Sequence, residues 1–594
     1  MIHVSEKQKH IGELAQRHPT LRFDRLYRIL CDQRWLTEAW RRIRSNAGSR
    51  TAGIDGMTRD DVDDALLRKL AANLKHQEYE PHPVRRVHIP KANGKKRPLG
   101  IATLRDRIVQ SALKMLLEPI WEGDFLDCSH GFRPRRSCHT ALNRVAKRFS
   151  RSTWIIEGDI RGCYDNIDHR KLMTLLSKRL KDQKLLRLIG KFLKAGYLER
   201  WVYHKTYSGT PQGSIISPLL MNIYLHELDT FTEHTLGANV PESAASIRAR
   251  RNPAYRRLEG RCHYIQQQLN GKIRLKRTPL TAEKRVELRR TLKQLKQEKA
   301  RIPMLLTRRK LGYVRYADDF LLILQGMPKA EAHVIKEKVG AFMKQELALE
   351  LSDEKTLISH PTERIRFLGY QLQSRGGKWK SLKLDIPREA QRELLAKVSR
   401  LARLHQIDET DLILNLNPLL RGWMEYYKYA SAPQRTFSRL LSKVWWKVSH
   451  YLARKHKTTI PKVLRKHAVT VTKNGRTRKT LRKEIHGKAI DLWMFPPPSG
   501  DIWILSTQDP RVDQQPLLTH EWAKGRSIEQ RLEALIKAGY RCQVCGTTKK
   551  LEVHHIGGLK VKHERNLVRA GRAKQRRVLC KQCHVRHGHG GRLR

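Results

Sequence analysis

The sequence is poor in acidic residues. Across 594 residues, 57 Asp and Glu stand against 120 Lys and Arg, a formal net charge of +63. Folding gains nothing from that imbalance, because like charges repel in the compact state. A polyanion is the natural counterpart, and many phosphate contacts would make its binding steeply salt-dependent. A basic protein of the membrane surface is the competing class. No apolar run approaches the roughly 20 residues that span a bilayer. The segment Met1–His18 also lacks the apolar core of a secretory signal. Nucleic acid is therefore the favoured partner, with no membrane. Wholesale disorder is excluded too, since 39% of the residues are hydrophobic.

Cysteine is scarce and unevenly placed. Five are scattered (Cys31, Cys128, Cys138, Cys163 and Cys262), and four form two Cys-x-x-Cys pairs, Cys542 with Cys545 and Cys580 with Cys583. Without a secretory signal, that pattern argues for metal binding in a reducing compartment rather than a disulfide framework. The expected location is the bacterial cytoplasm, or an organelle that encodes the protein.

The length accommodates roughly three to five domains of about 150 residues, and no internal repeat is evident. Residues 1–80 are expected to form a polar, mainly helical N-terminal extension, ending near the glycine-rich turn Gly48–Gly56. Residues 81–380 alternate short apolar strands with helices, an α/β pattern. That region is interrupted at about 231–310 by a charged insert, and Thr281–Arg301 has the composition of a solvated helix. The insert reads equally as surface helix or as an RNA-contacting element. Residues 381–456 turn helical and aromatic, with Trp423, Tyr426, Tyr427, Tyr429, Trp445 and Trp446; aromatics at this spacing are more often core than stacking platforms. Residues 457–500 are basic, with a turn at Asn474-Gly475 and a linker at Pro496–Gly500. A Cys/His-rich module occupies 530–594.

Two apolar segments, Leu311–Arg315 and Phe320–Leu324, flank Tyr316-Ala317-Asp318-Asp319 and predict a hairpin with the aspartates at its bend. Trp154–Ile160 predicts a buried strand ending in Asp159. Strand ends set side by side would gather Asp159, Asp318 and Asp319. Three such carboxylates repel one another unless divalent cations neutralise them. Mg²⁺ prefers hard oxygen ligands and shares them with substrate phosphates, and two such ions serve in-line nucleotidyl transfer.

Asp159 with Tyr164, then Pro211–Pro218, then Tyr316–Asp319 resemble, in order, the successive palm motifs of reverse transcriptases. Ile89–Ile101, Ser129–Pro134, Glu354-Lys355-Thr356 and Phe367–Tyr370 resemble flanking motifs of the group II intron branch, so the likeness covers roughly residues 50–375. It implies right-hand fingers and palm built from an antiparallel sheet with helices. It further implies that Asp159, Asp318 and Asp319 hold two Mg²⁺ ions and that Lys91 and Arg97 grip the incoming triphosphate. Tyr164 would exclude a ribose 2′-hydroxyl, and Gln212, on the turn that Gly213 permits, would contact the template–nucleotide pair. Lys355 carries less weight, because a surface lysine needs no function.

Arg421–Tyr429 and Phe437–Tyr451 more loosely resemble the maturase segment, domain X, that follows the palm in group II intron proteins. The resemblance implies a helical thumb that also binds the parent intron RNA, followed at 457–500 by a region contacting target DNA. Basic composition supports phosphate contacts there without distinguishing RNA from DNA.

The two Cys-x-x-Cys pairs have the spacing of a tetrahedral structural Zn²⁺ site formed by Cys542, Cys545, Cys580 and Cys583. The residues around them resemble an HNH endonuclease, a small ββα-metal module. By that resemblance His555 is the general base and His554 a metal ligand. Asn566 would pin the loop, His584 would close the ion site, and His587 is an alternate or additional ligand. A neutral imidazole suits proton acceptance near pH 7. A zinc module that binds DNA without cutting it is the alternative.

Together these features imply a multifunctional group II intron protein: RNA-directed DNA polymerase, maturase and HNH DNA endonuclease. Its expected partners are intron RNA, target DNA, template–primer and dNTPs, with homodimerisation open. The rival readings are a splicing-only maturase with relic catalytic sites, a reverse transcriptase not tied to an intron, and an HNH nuclease on an inert polymerase scaffold.

Overall fold

The computed structural model describes residues 4–90, 94, 96–149, 152–199, 202–210, 213–239, 252–270, 281–301, 309–374, 382–403, 407–473, 475–485, 488–502, 551–555 and 576–580. The N-terminal region is helical and packs into the core of the protein. In the helix Gln33–Arg44, Asp32 caps the first turn by accepting from the Arg34 amide, and Trp35, Leu36, Ala39 and Ile43 recur at helical spacing. That stripe packs on the long helix Leu104–Glu122, where the Trp35 indole donates to the Ala112 carbonyl at 3.0 Å. Leu67, Leu70 and Leu74 join the same core cluster. The outward face carries the charge, which masks the buried stripe in composition alone.

Strands β1 (Val84–Pro90) and β2 (Lys96–Ile101) form an antiparallel hairpin. After β3 (Ser152–Asp159) come β4 (Tyr197–Glu199) and β5 (Val202–His204), which extend the hairpin into a sheet of order β2-β1-β4-β5. A second four-stranded sheet combines β3 with β6 (Lys310–Tyr316), β7 (Asp319–Gln325) and β8 (Leu357–Ser359) in the order β6-β7-β3-β8, antiparallel throughout.

This central sheet is buried on both faces, which accounts for the unbroken apolar run of β7. Phe320, Leu322 and Leu324 belong to the core shared with the N-terminal helices and with Ser217–Thr230. Leu321 and Ile323 belong to a second core shared with the helix Cys138–Phe149 and the C-terminal helices. Gly158 lies opposite Phe320 in the register. A Cβ there would come within 2.1 Å of the Phe320 ring, so only glycine fits.

Beyond the sheet, β9 (Ile365–Phe367), β10 (Tyr370–Ser374) and β11 (Leu382–Asp385) form a small antiparallel sheet. Four helices follow: Arg388–Leu401, Glu409–Tyr427, Pro433–Lys455 and Ile460–His467. A meander of β12 (Ala468–Lys473), β13 (Arg476–Ile485) and β14 (Lys488–Asp491) comes next, its first turn closing where Lys473 pairs with Arg476. The 231–310 insert contributes two helices, Pro253–Leu269 and Ala282–Arg301, packed together through Cys262, Ile265, Leu292 and Leu295. The far C-terminus contributes an antiparallel ribbon of β15 (Leu551–His555) and β16 (Arg576–Cys580). Among the described residues, no helix is long and apolar enough to cross a membrane.

Candidate active site

Register alone gathers the carboxylates. Asp159, the last residue of β3, pairs with Asp319, the first of β7, while Tyr316 pairs with Asp319 across the neighbouring hairpin. Asp318 therefore lies in the two-residue loop Ala317-Asp318, with Ala317 in the left-handed region at φ 59°. The loop Ser129–Phe132 braces that turn so closely that a Cβ on Gly131 would stand 2.4 Å from the Ala317 nitrogen.

Behind the turn, Arg315 is fully buried in an otherwise apolar strand. Its guanidinium donates to both carboxylate oxygens of Asp229, at 2.7 and 2.6 Å, and to the Asn222 side chain, the Ser129 hydroxyl and the Ala317 carbonyl. Tyr313 donates its hydroxyl to the same Asp229 carboxylate at 3.0 Å. Asp229 accordingly pushes the guanidinium pKa further up against the opposing effect of burial. Nothing at the sequence level singled out this network. A charged residue inside an apolar strand is its signal, because a buried charge demands a partner.

The aspartates in front of this scaffold are electrostatically strained. Asp319 opens to solvent along one edge, yet the protein crowded around it, with Asp318 and Asp159 adding repulsion, pushes its pKa up to about 6. Asp318 is raised as well, first by burial and further by Asp159, against relief from Arg97 and Lys355. Lys355 is the one cation in direct contact among the described residues, its Nζ donating to Asp159 Oδ2 at 2.8 Å. The turn that carries it is bound to β3, since the Ser352 amide donates to the Asp159 carbonyl at 2.8 Å. A lysine discounted in the sequence thus touches the cluster.

Two other expected substrate groups, Tyr164 and Arg97, lie within electrostatic reach of the aspartates. Tyr164 sits on the short helix Cys163–Asn166, and its carbonyl accepts from the Thr210 amide at 2.7 Å. Its hydroxyl pKa is raised by burial and then by Asp318, and is eased by Arg97. Arg97 is exposed on β2 and acts on Asp318 and Asp319 as well. Gly213, at φ 107°, lies against β2, where a Cβ would meet the Gly100 carbonyl and the Leu99 side chain at 2.8 Å. Lys91 and Gln212 lie outside the described residues.

The aromatic block of the helical region is mostly mortar. Tyr426 donates to the Leu368 carbonyl at 2.6 Å and Tyr427 to the Gly369 carbonyl at 3.1 Å, while Tyr370 donates to the Tyr426 carbonyl. His139, from the helix Cys138–Phe149, makes a 2.7 Å bond to that carbonyl and packs on the Tyr429 ring. Trp446 is the exposed member of the set.

Residues 89–241 match the family described as reverse transcriptase (RNA-dependent DNA polymerase), and residues 391–470 match the group II intron maturase-specific domain. The chain is 37% identical to the group II intron-encoded protein LtrA of Lactococcus lactis subsp. cremoris, over 96% of each chain. It belongs to the group II intron-encoded proteins. This family member is the reverse transcriptase and maturase of a group II intron. It is also 35% identical to protein YkfC of Escherichia coli K12, over 67% of this chain and 96% of that one. It is 30% identical to an uncharacterized 91 kDa protein in the cob intron of Schizosaccharomyces pombe, over 98% of this chain and 72% of that one.

Reverse transcriptases imply Mg²⁺, and the cluster fits it. Three carboxylates offer hard oxygen donors, and at two of them, Asp318 and Asp319, burial and mutual repulsion raise the pKa against relief from Arg97 and Lys355. At the C-terminus of this intron-encoded protein, β15 ends at His555 and pairs in register His554↔Arg577 and His555↔Arg576, while Cys580 closes β16. Cys542, Cys545, Cys583, Asn566, His584 and His587 lie outside the described residues.

Proposed function

We propose that Asp159, Asp318 and Asp319 form the polymerase centre and that the chain also acts on intron RNA and target DNA. The register pairing of Asp159 with Asp319, beside the turn holding Asp318, carries this reading. Two Mg²⁺ ions held there would activate a primer 3′-hydroxyl and neutralise a departing pyrophosphate. Arg97 on β2, together with Lys91, would grip the incoming triphosphate. Tyr164 presents an aromatic face where a ribose 2′-hydroxyl would sit. Gly213 lies against β2, and Gln212, beside it in sequence, would contact the template–nucleotide pair. Arg315 holds the aspartate turn in place without touching substrate.

The helical region after the central sheet serves as thumb and maturase surface, gripping template–primer and binding the parent intron RNA. The exposed basic residues Arg476 and Lys479 of the β12–β14 meander suit contact with the DNA target. For the C-terminus we favour an HNH endonuclease with Cys542, Cys545, Cys580 and Cys583 on a structural zinc. His555 accepts the proton from water. His554, with His584 or His587, holds a divalent ion, and Asn566 fixes the loop. The ribbon that ends at His555 supports this assignment. A nick by that module would supply the 3′ end that primes cDNA synthesis during retrohoming.

Splicing of the transcript flanking this gene at low Mg²⁺, with and without purified protein, tests the intron reading. Protein-dependent lariat and ligated exons are expected. Robust cDNA synthesis without any effect on splicing would overturn it.

A further inference from the structure

Three helix ends meet within the C-terminal helical region. Glu409 opens the helix Glu409–Tyr427, His456 caps the end of Pro433–Lys455, and His467 closes Ile460–His467. One ligand atom from each lies within 4.8 Å of the others. Glu409 and His467 are only 4% and 5% exposed, whereas the His456 side chain keeps 33% exposure.

The hydrogen bonding selects which nitrogen is free. His467 Nδ1 stands 3.2 Å from the Arg482 carbonyl, which can only accept, so the proton resides on Nδ1. Its Nε2 is buried with no hydrogen-bond partner and keeps a free lone pair. A histidine fixed through one nitrogen by a backbone carbonyl is the arrangement metal-binding imidazoles use. His456 Nε2 approaches Glu409 Oε1, and the two imidazoles stack with centroids 5.7 Å apart.

We propose that Glu409, His456 and His467 form a binding site for a borderline transition-metal cation, Zn²⁺ being the natural occupant. Two imidazoles and one carboxylate are a zinc donor set with a fourth position left for water. Zinc bonds of about 2.0–2.1 Å need the donor atoms roughly 3.3 Å apart in a tetrahedron, a modest contraction of the cluster. Lys483 Nζ, 2.9 Å from Glu409 Oε2, is the cation that must give way, and its side chain is 33% exposed and free to withdraw into water. Asp408, which caps the helix by accepting from the Thr410 amide, adds negative charge next to the site. Such an ion would tie three helices of the maturase region together. Because the Arg482 carbonyl that holds His467 belongs to β13, it would also fix the basic meander against them.

The test is differential, because the C-terminal cysteines are themselves expected to bind zinc. Full-length protein, chelator-stripped, is titrated with Zn²⁺ and then with Co²⁺, beside His456→Ala and His467→Ala. Thiolate sites give Co²⁺ an intense near-ultraviolet band, whereas a His/His/Glu site gives visible ligand-field bands alone. Each variant should lose one equivalent of metal, or bind it about tenfold or more weakly, with the thiolate band unchanged. Equal stoichiometry and identical spectra in all three proteins would overturn the proposal and leave Glu409 as a carboxylate paired with Lys483 and His456. His456 is partly exposed, so His456→Ala gives the answer even where His467→Ala fails to fold.

Discussion

Arg315 and Asp229 form a doubly hydrogen-bonded ion pair with both side chains at 0% exposure, directly behind the turn that carries Asp318. The pair joins β6 to the helix Ser217–Thr230 and donates onward to the Ala317 carbonyl. Its contribution is geometric. Burying two charges recovers little net stability, but removing one leaves the other without compensation.

Arg315→Met should therefore cost about 3–5 kcal/mol, read by urea denaturation, and should suppress cDNA synthesis although Arg315 touches no substrate. Arg315→Lys should rescue poorly, because an ammonium cannot make the forked contact. Arg315→Met combined with Asp229→Leu should recover much of the stability. Additive losses in the double variant would contradict a coupled pair.

Most of the fold behind this pair can be read from the residues. The apolar segments of β6 and β7 and the acid-terminated β3 predict the hairpin and the strand end, and setting those acidic ends side by side anticipates the pairing of Asp159 with Asp319. Side-chain partnerships across long separations cannot be read that way. Asp229 lies on a helix with no motif of its own, and Lys355 meets Asp159 only because a turn folds back onto β3. The buried stripe of the N-terminal helices is hidden in composition, because exposed charge outweighs it. Tyr426 and Tyr427 are chiefly packing, because their hydroxyls donate to backbone carbonyls on the neighbouring β9–β10 turn.

Tyr164→Ala should relax sugar discrimination. Steric exclusion of one hydroxyl in a pocket is worth roughly 10–200-fold, so rNTP incorporation relative to dNTP should rise within that range in primer extension. An unchanged ratio would assign Tyr164 to packing alone.

His139 couples the central sheet to the following helices and is held neutral. Burial lowers its pKa and Lys428 lowers it further, while the Tyr426 carbonyl and Glu425 work the other way. The unfolded value is about 6.5. A depressed folded value gives a contribution that is full above that pH and is lost as pH falls toward the folded pKa. The thermal midpoint should drop between pH 7.5 and 5.5, and less steeply in His139→Gln. Identical slopes would remove His139 from the acid response.

His555→Ala should abolish nicking of the second DNA strand while leaving cDNA synthesis on an annealed primer intact. Loss of both activities in folded protein would argue against separate centres.

The most direct measurement compares parent protein with Asp319→Asn in two assays: extension of a DNA primer on an RNA template, and splicing of the intron transcript at low Mg²⁺. A carboxylate that holds Mg²⁺ for the chemical step predicts loss of extension by several orders of magnitude with splicing support preserved. Retained extension in Asp319→Asn would contradict the assignment of Asp159, Asp318 and Asp319 as the polymerase centre.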